Sequence, residues 1–597
     1  MADTGQRISY EKTETERIEQ TETNRAPTLA ETSADVDADD EGDVRPPGYW
    51  TSFRFLGSVV AIVLLANNLF IGYSMPASIL SVIGKDLNAG TSISLASLTL
   101  TLIKGVCLLL VGSISDVIGR RYFLLGGQLV NFVGAIVAAR ATNVNMLIGA
   151  SALVGLGQAT QLLYPMLIQE IVPNKYRGIS QGLLSLAIFP TIALGPAFAR
   201  FMVANPKFGW RALYWLDAIT VGISFILFAL CYFPPGFKEL QGGRTTRKSI
   251  LKHIDYGGFI LYAGGLVLLL LALSWGGSKH PWKSATIISM LVIGVLTLVA
   301  FALYEIYMPL HTPLLPMKLF KIKNFVVAVV VGSCGQMSWY ALNLLWPYHI
   351  QNLYTTDNSK VGWMSCITGI ALATGELIMG FFCRKGGRIR LQMIASVALY
   401  TTFSGIMAIA NQHRESLAVG MITTIGFCVG WIELITIVVA TLVVPPDQIG
   451  TGSAFFASTR ATTGTIVSSI YLAIYNNRYP ALMEPDITKA VEAAGLPESS
   501  LTQLFAAIAN GTTAALNAVP GFTPAINAAV IDGRKSAYAT ALADVYLTSI
   551  AFGSIALITI FYGRNDIESK FTNFVNKTVS HVGGGKVEED PEKVAQL

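Results

Sequence analysis

Long apolar segments, each of roughly 20 residues, alternate with short polar loops along most of the chain. An α-helix rises about 1.5 Å per residue, so about 20 residues cross the hydrocarbon core of a bilayer. The pattern therefore predicts an all-α membrane protein with fourteen spans, at 53–79, 91–114, 122–140, 146–169, 178–200, 212–233, 255–275, 285–304, 325–350, 361–383, 390–411, 416–443, 451–475 and 538–562.

The two ends of the chain lack this pattern. Residues 1–48 are rich in Thr, Glu and Asp and carry no apolar run, which predicts a disordered acidic tail. Residues 563–597 predict a second polar tail.

The composition agrees with a chain that lies largely in lipid. Hydrophobic residues make up 52% of the chain and charged residues only 13%, whereas soluble domains carry about 25% charge. The net charge of +5 gives no support for nucleic-acid binding. The six histidines and six cysteines have no metal-ligand or catalytic spacing, so the sequence predicts no metal, no cofactor and no enzymatic activity.

Basic residues set the predicted orientation. An even number of spans places both termini on one side, and Lys and Arg concentrate in alternate loops, for example at Arg120, Arg121, Lys175 and Arg177. Both termini are therefore expected to be cytoplasmic. The loop 476–537 is then extracellular, where one or two short helices are expected over the membrane surface, and Asn510-Gly511-Thr512 forms an N-glycosylation candidate.

Two basic loops reveal an internal repeat. Gly112, Asp116, Gly119 and Arg120 align with Gly380, Arg384, Gly387 and Arg388 at an offset of 268 positions. The repeat predicts a six-helix bundle at 53–233, a loop and two-helix insertion at 234–324, and a second six-helix bundle at 325–562.

The first of these loops also predicts a gate. Gly112 permits close helix approach, Asp116 can accept hydrogen bonds from the next helix, and Gly119 makes the turn before Arg120 and Arg121. This arrangement suits a breakable cytoplasmic latch. Ordinary loop chemistry with a positive-inside bias is the alternative.

These residues resemble the signature loop of the major facilitator superfamily. Gly195-Pro196 is similar to the antiporter motif of its drug exporters, although the usual surrounding glycines are mostly replaced, as at Thr191 and Ala197. The stretches 172–178, 209–211, 234–237, 274–277 and 313–325 resemble the fungal trichothecene-efflux-pump-like branch, which also contains siderophore transporters. The resemblance implies the major facilitator fold and ion-coupled secondary transport.

Four charged residues inside predicted spans stand out, because charge there costs about 2.5–3.5 kcal/mol on insertion scales. Lys104 could bind an anionic cargo group or form a structural ion pair. Glu376 and Glu433 are proton-coupling candidates, because burial favours a neutral carboxyl that can load and release a proton. Alternatively, either could neutralise Arg460 or Lys104.

Together with Lys104 and Arg460, polar residues on helix faces predict a substrate cavity. Gln336, Tyr340 and Asn343 share one face of the ninth span, where they could recognise a polar aromatic cargo or simply bond neighbouring helices. The same two interpretations apply to three further polar residues, Asn68, Gln158 and Gln161.

The sequence leaves two transport functions open. The first is proton-coupled efflux of a hydrophobic secondary metabolite, toxin or drug, and the second is proton-coupled import of a ferric siderophore. The expected partners are a small-molecule cargo, protons and membrane lipid, with no nucleic acid, and the chain is expected to be a monomer. The plasma membrane is the expected location, with a vacuolar or vesicle membrane as the alternative. No Gly-x4-Gly-Lys-Ser/Thr motif for an ATP-driven pump occurs.

Overall fold

The computed structural model describes residues 49–88, 93–118, 120–205, 208–233, 255–276, 280–308, 317–355, 357–385, 387–445, 448–510, 516, 518–564 and 567–571. The predicted tail 1–48, most of the tail 563–597 and the loop residues 234–254 lie outside them. The long helices are α1 Phe53–Ser78, α2 Ile93–Ile118, α3 Arg120–Ala139, α4 Val144–Ile171, α5 Asn174–Ala204, α6 Arg211–Cys231, α7 Tyr256–Trp275, α8 Ala285–Tyr307, α9 Lys323–Tyr354, α10 Asn358–Lys385, α11 Ile389–Ile406, α12 Glu415–Val443, α13 Ile449–Ala493 and α14 Pro524–Tyr562.

A helix occupies each of the predicted spans. Within the described residues, twelve helices are long and apolar enough to cross a membrane. The other two helices are α2 and α13. Helix α13 is interrupted by polar residues such as Arg460, and a helix that faces a polar interior does not need to be apolar all round. Helix α2 carries an apolar stretch at Leu95–Leu108. The number of spans stays a prediction.

The helices pack as two groups with two bridges between them. Helices α1–α6 contact one another, as do α9–α14. The groups meet where α5 packs on α10 and where α2 packs on α13. Apolar side chains dominate the buried interior, and many others face outward, as along α8 at Ile288, Val292 and Leu296. An outward apolar face suits a helix in contact with lipid tails.

Small residues bring α5 and α10 into backbone contact. A Cβ added at Gly380 would lie 2.8 Å from both the Gly178 carbonyl oxygen and the Gly182 Cα. Further along the same crossing, a Cβ at Gly369 would lie 2.7 Å from Ala193 Cα. Without a hydrophobic driving force in lipid, helices associate through such close packing, so this crossing joins the two groups.

Helices α7 and α8 pack on each other and attach at the seam between the groups. α7 contacts both α2 and α13. The Tyr262 hydroxyl is hydrogen-bonded to Ser458 on α13, whose own hydroxyl donates to the Gly105 carbonyl oxygen on α2 at 3.3 Å. The predicted insertion therefore contacts one helix from each group.

The loop predicted at 476–537 differs from expectation. Rather than lying as separate surface helices, much of it continues α13 and α14 beyond their spanning parts, with one short helix at Leu501–Asn510. The 45 residues of α13 span ~68 Å, over twice the hydrocarbon thickness. These extensions have their own small core, which includes Ile487, Leu504 and Val530. Burial of this core favours continuous helices over a loop.

An ion pair ties down the predicted extracellular end of the N-terminal group. Arg211, at the start of α6, lies 3.0 Å from Asp86, which ends the short helix Leu80–Asp86. Trp210 also donates a hydrogen bond to Asp86 at 2.9 Å. The bond from Trp210 and then that from Arg211 lower the pKa of Asp86. The pair is about half exposed, so its main role is to fix the loop geometry.

The α5–α10 crossing predicts the effect of a single methyl group. Gly380→Ala should lower the free energy of unfolding by about 1–3 kcal/mol, because the contacting atoms at Gly178 and Gly182 belong to the backbone. Gly420→Ala is the matched control, since a Cβ there meets nothing within 4 Å. Melting temperatures of the two variants in the same detergent provide the measurement. Equal melting temperatures would show that α5 and α10 can move apart without loss of stability.

Candidate functional site

A charged cluster lies where α9, α12 and α13 meet. Arg460 on α13 forms an ion pair with Glu433 on α12 and donates a hydrogen bond to Gln336 Oε1 on α9. The Arg460 guanidinium also lies 5.1 Å from the centre of the Phe456 ring. The side chains of Arg460 and Glu433 are 9% and 18% exposed. The pair therefore holds its charge in a largely dry interior, which requires this mutual compensation.

Glu376 brings a second carboxyl to the cluster. It lies on α10, half-buried, and interacts electrostatically with Glu433 and Arg460. It is also hydrogen-bonded to Ser185 on α5. Arg460 has its ion pair with Glu433, so within the described residues Glu376 has no salt-bridge partner of its own.

Tyrosines from both helix groups complete the cluster. Tyr164 on α4 interacts with Glu376, Glu433 and Arg460. Tyr340 on α9 interacts with Arg460, Glu433 and Tyr73. The site therefore includes residues from both groups, and a relative movement of the groups would change its geometry. Of the predicted recognition face, Gln336 and Tyr340 belong to this cluster, whereas the side chain of Asn343 lies outside the described residues.

Lys104 has an aromatic partner. Its ammonium lies 4.6 Å from the centre of the Tyr73 ring, and only 9% of the residue is exposed. The Tyr73 hydroxyl is hydrogen-bonded to Ser97, on the same helix as Lys104. In the described part of the chain no carboxylate lies within ion-pair distance of Lys104. A cation–π contact compensates a buried ammonium less fully than a carboxylate does, which leaves Lys104 able to attract an anionic group.

The predicted gating motif is described only in part. Gly112 and Asp116 lie in α2, Gly119 is outside the described residues, and the Asp116 side chain is not described. Arg120 is buried in an ion pair with Glu170 at the end of α4. Arg121 donates to the Ala229 carbonyl oxygen at 2.7 Å. The arginines therefore join helices within the N-terminal group, and Arg120 is buried there.

The two groups are joined near this end by residues that the motif does not contain. Arg177 on α5 donates to the Thr441 carbonyl oxygen on α12 at 3.0 Å and to the Gln169 carbonyl oxygen at 3.1 Å. The Thr441 hydroxyl donates to the Gln169 side chain. These three residues, Gln169, Arg177 and Thr441, are called the Gln169–Thr441 latch below. It spans the predicted cytoplasmic side, and opening there requires its hydrogen bonds to break.

Gly195-Pro196 lies at a break in α5. The helix Arg177–Ile192 ends, and a second segment, Gly195–Ala204, begins with Pro196 in its first turn, where the missing N–H costs nothing. A Cβ at Gly195 would lie 3.3 Å from Met75 Cγ on α1. The break thus packs against α1, and α10 packs against its other side through Gly369.

Three predicted cavity residues lie elsewhere. Asn68, Gln158 and Gln161 are fully buried among the N-terminal helices, and none of their side-chain atoms has a hydrogen-bond partner in the described residues. Asn510 ends the short helix Leu501–Asn510. The rest of its glycosylation triplet, Gly511 and Thr512, lies outside the described residues.

Comparison with known proteins identifies the family. The model of the fungal trichothecene efflux pump family (TRI12) matches residues 21–584. This chain belongs to the fungal trichothecene efflux pump family. It is 28% identical over 556 residues to the trichothecene efflux pump of Fusarium sporotrichioides, covering 92% of this chain and 91% of that protein. It is 28% identical over 524 residues to the trichothecene efflux pump of Trichoderma arundinaceum, covering 86% of each chain.

Solved structures show that this trichothecene efflux pump family member has the major facilitator fold. The proton:xylose symporter XylE superposes with a TM-score of 0.54 at 14% identity, over 88% of this chain and all of that one. The human organic anion transporter MFSD10 gives a TM-score of 0.53 at 11% identity, over 86% and 100% of the two chains. Identities this low establish the fold alone. They confirm the all-α major facilitator prediction.

Sequence reasoning missed several polar residues in this family member. Tyr164, Ser185, Gln169, Glu170, Thr441 and Asp217 contribute to the cluster, to the contacts between helices or to the buried interior. Glu170 and Asp217 carried a usable signal, because each is a carboxylate within or at the end of an apolar segment. The hydroxyl residues carried none, since Ser, Thr and Tyr are common in helices of every kind.

The Arg460–Glu433 pair predicts strong coupling between its members. Arg460→Gln should cost about 3 kcal/mol because it leaves the largely buried Glu433 carboxylate without its cation. The Glu433→Gln/Arg460→Gln double variant should lose less than the sum of the single changes. Unfolding in a denaturing-detergent titration measures the coupling energy. The exposed pair Arg478–Asp544 is the control, with an expected coupling of about 0–1 kcal/mol, and additive losses at Arg460 and Glu433 would contradict the pairing.

Proposed function

We propose that this chain is a proton-coupled secondary transporter that exports a hydrophobic secondary metabolite, toxin or drug. The carrying observation is that Glu376 joins the Glu433–Arg460 pair between helices of both groups, within reach of Tyr164 and Tyr340. Membership in the trichothecene efflux pump family supports efflux over siderophore import. A relative from Pyricularia grisea, named an efflux transporter, is 28% identical over 465 residues, 76% of this chain and 72% of that protein.

The proposed architecture follows the internal repeat. Residues 53–233 and 325–562 form two six-helix halves, 234–324 contributes the two-helix insertion, and the fourteen spans leave both termini in the cytoplasm. The chain acts as a monomer without a cofactor, in the plasma membrane or alternatively in a vacuolar or vesicle membrane. Rocking of the halves about the cluster gives alternating access.

Within the cluster, the two carboxyls have different roles. Glu433 forms an ion pair with Arg460 and is thereby occupied as a counter-charge. Glu376 faces the negative charge of Glu433 and receives one neutral hydrogen bond, from Ser185, so a bound proton stabilises it. A proton that enters from outside neutralises Glu376, and its release to the cytoplasm accompanies cargo loading. The cationic Lys104 and the tyrosine rings provide the chemistry to hold an apolar cargo with a polar or anionic end.

Direction of access depends on the Gln169–Thr441 latch. While Arg177 and Gln169 hold Thr441, the predicted cytoplasmic side is closed. Cargo can enter from the cytoplasm only after these bonds break. Gly112, Asp116, Gly119 and Arg121, next to Arg120 and its partner Glu170, form the proposed gating loop that changes conformation with the latch. Gly195-Pro196 provides a bend in α5 about which this movement can occur.

Efflux itself is testable in yeast that lack their own drug exporters. Cells that express the chain should accumulate less tritiated trichothecene than empty-vector cells, and a proton uncoupler should abolish the difference, because export draws on the proton gradient. An uncoupler-sensitive gain of a ferric siderophore, without trichothecene export, would replace efflux by import.

Glu376→Gln tests the proton role. In proteoliposomes the variant should exchange trichothecene across the membrane at close to the wild-type rate, yet lose at least tenfold of its pH-gradient-driven accumulation, because a permanent amide neither loads nor releases a proton. Glu415→Gln is the control, since Glu415 is exposed and pairs with Lys360 away from the cluster. Unchanged gradient-driven accumulation in Glu376→Gln would remove Glu376 from proton coupling.

A further inference from the structure

Asp217 is a carboxyl inside the N-terminal helix group, away from the cluster described above. It lies on α6 and has no exposed surface. Neither of its carboxyl oxygens has a hydrogen-bond partner among the described residues. An ionised carboxylate without a partner is strongly unfavourable in such a place, whereas a neutral carboxyl is tolerated.

The space in front of Asp217 is bounded by a second polar side chain and by a glycine. A Cβ built on Gly72 would lie 2.8 Å from Asp217 Oδ2 and 2.7 Å from Gln158 Nε2. Gly72 therefore keeps open a gap between a carboxyl and an amide that any larger residue would fill. Gln158 is fully buried and its amide likewise has no partner in the described residues.

Further buried amides line the neighbouring helices. Asn68 lies one turn before Gly72 on α1, and Gln161 lies one turn after Gln158 on α4. Both have no exposed surface and no hydrogen-bond partner in the described part of the chain. Amides both donate and accept, so they can accommodate a carboxyl in its protonated and its ionised form.

No cation compensates Asp217 within the described residues. Tyr214, one turn away on α6, interacts with it electrostatically. The other charged and titratable groups on α6 and on the elements packed against it are Arg54, Tyr73, Arg120, Arg121, Tyr122, Arg140, Tyr164, Glu170, Lys175, Tyr176, Arg177, Arg200, Arg211 and Cys231. The nearest cation along α6, Arg211, is held by Asp86.

From this geometry we infer that Asp217 is a second proton-binding site of the transporter, formed with Gln158 in the gap that Gly72 leaves open. The inference rests on the proposed proton-coupled function. An O–H bond forms at Asp217 with a proton from water on one side of the membrane. It breaks when the helices move and releases that proton to water on the other side, with no redox change.

The turn that holds Gly72 connects this site to the central cluster. Phe70–Ser74 is a π-helical turn in α1, a form that often occurs at functional sites. Gly72 faces Asp217, and the next residue, Tyr73, contacts Lys104 and interacts with Tyr340 on the other helix group. A change in the charge of Asp217 shifts this turn and thereby changes the position of Tyr73 beside Lys104 in the central cluster.

Carbodiimide labelling tests the site in the full chain without any cargo. Dicyclohexylcarbodiimide reacts with protonated carboxyls in apolar surroundings, so mass spectrometry of wild-type protein in nanodiscs should find Asp217 modified, and less so as pH rises. Asp544, whose side chain is 32% exposed and pairs with Arg478, is the control and should stay unmodified at neutral pH. An unmodified Asp217 under conditions that modify Glu376 would overturn the proposal.

Transport by variants gives the second test. Asp217→Asn and Gly72→Ala should each reduce pH-gradient-driven trichothecene accumulation at least fivefold in proteoliposomes while equilibrium exchange continues, and Asp217→Glu should restore part of it. Asp544→Asn should match wild type. Full gradient-driven accumulation by Asp217→Asn would refute the second proton site alone, whereas absence of gradient-driven transport in the wild type would refute the proposed function instead.

Discussion

A charge inside the hydrocarbon region must either find a counter-charge or become neutral, and this constraint organises the interior of the protein. Arg460 and Glu433 satisfy it by pairing, with Gln336 as an additional acceptor. Lys104 is stabilised by an aromatic ring. The carboxyls of Glu376 and Asp217 have no cation of their own among the described residues, which is why both are proposed to bind protons.

Close backbone packing gives these charges their surroundings. The glycine contacts between α5 and α10 bring Ser185 to Glu376 and hold the two helix groups together. Helix association in lipid depends on such contacts, because lipid tails are as apolar as leucine. The second bridge, between α2 and α13, is fastened to α7 through Ser458 and Tyr262. Helix α7 of the two-helix insertion thus contacts both helices of this bridge.

The two helix groups are joined by different kinds of interaction in the predicted cytoplasmic region and in the middle of the protein. In the predicted cytoplasmic region, the Gln169–Thr441 latch consists of hydrogen bonds, which break at modest cost when replaced by water. In the middle, the groups meet through charged and aromatic side chains, whose interaction depends on protonation in the proposed mechanism. A transporter needs both kinds of interaction, since the latch must open while the central cluster changes its affinity for cargo.

The sequence alone determined the helical fold, nearly all of the helix positions and the family. Hydropathy with a period of one bilayer crossing is a local property, and so is the signature loop. The sequence also singled out Lys104, Glu376, Glu433 and Arg460, because charge in an apolar segment is rare. It predicted the short helix in the loop 476–537 but made the loop too long, because a small tertiary core extends α13 and α14 into it.

Only the tertiary structure decided which of these charges meet. Arg460 and Glu433 lie on different helices. From the sequence, Glu376 or Glu433 could equally have paired with Arg460 or with Lys104. The same holds for Gln169 and Thr441, and for Asp217 beside Gly72 and Gln158. Such contacts depend on helix rotation and crossing, which are set by packing summed over many residues and leave no local trace in the chain.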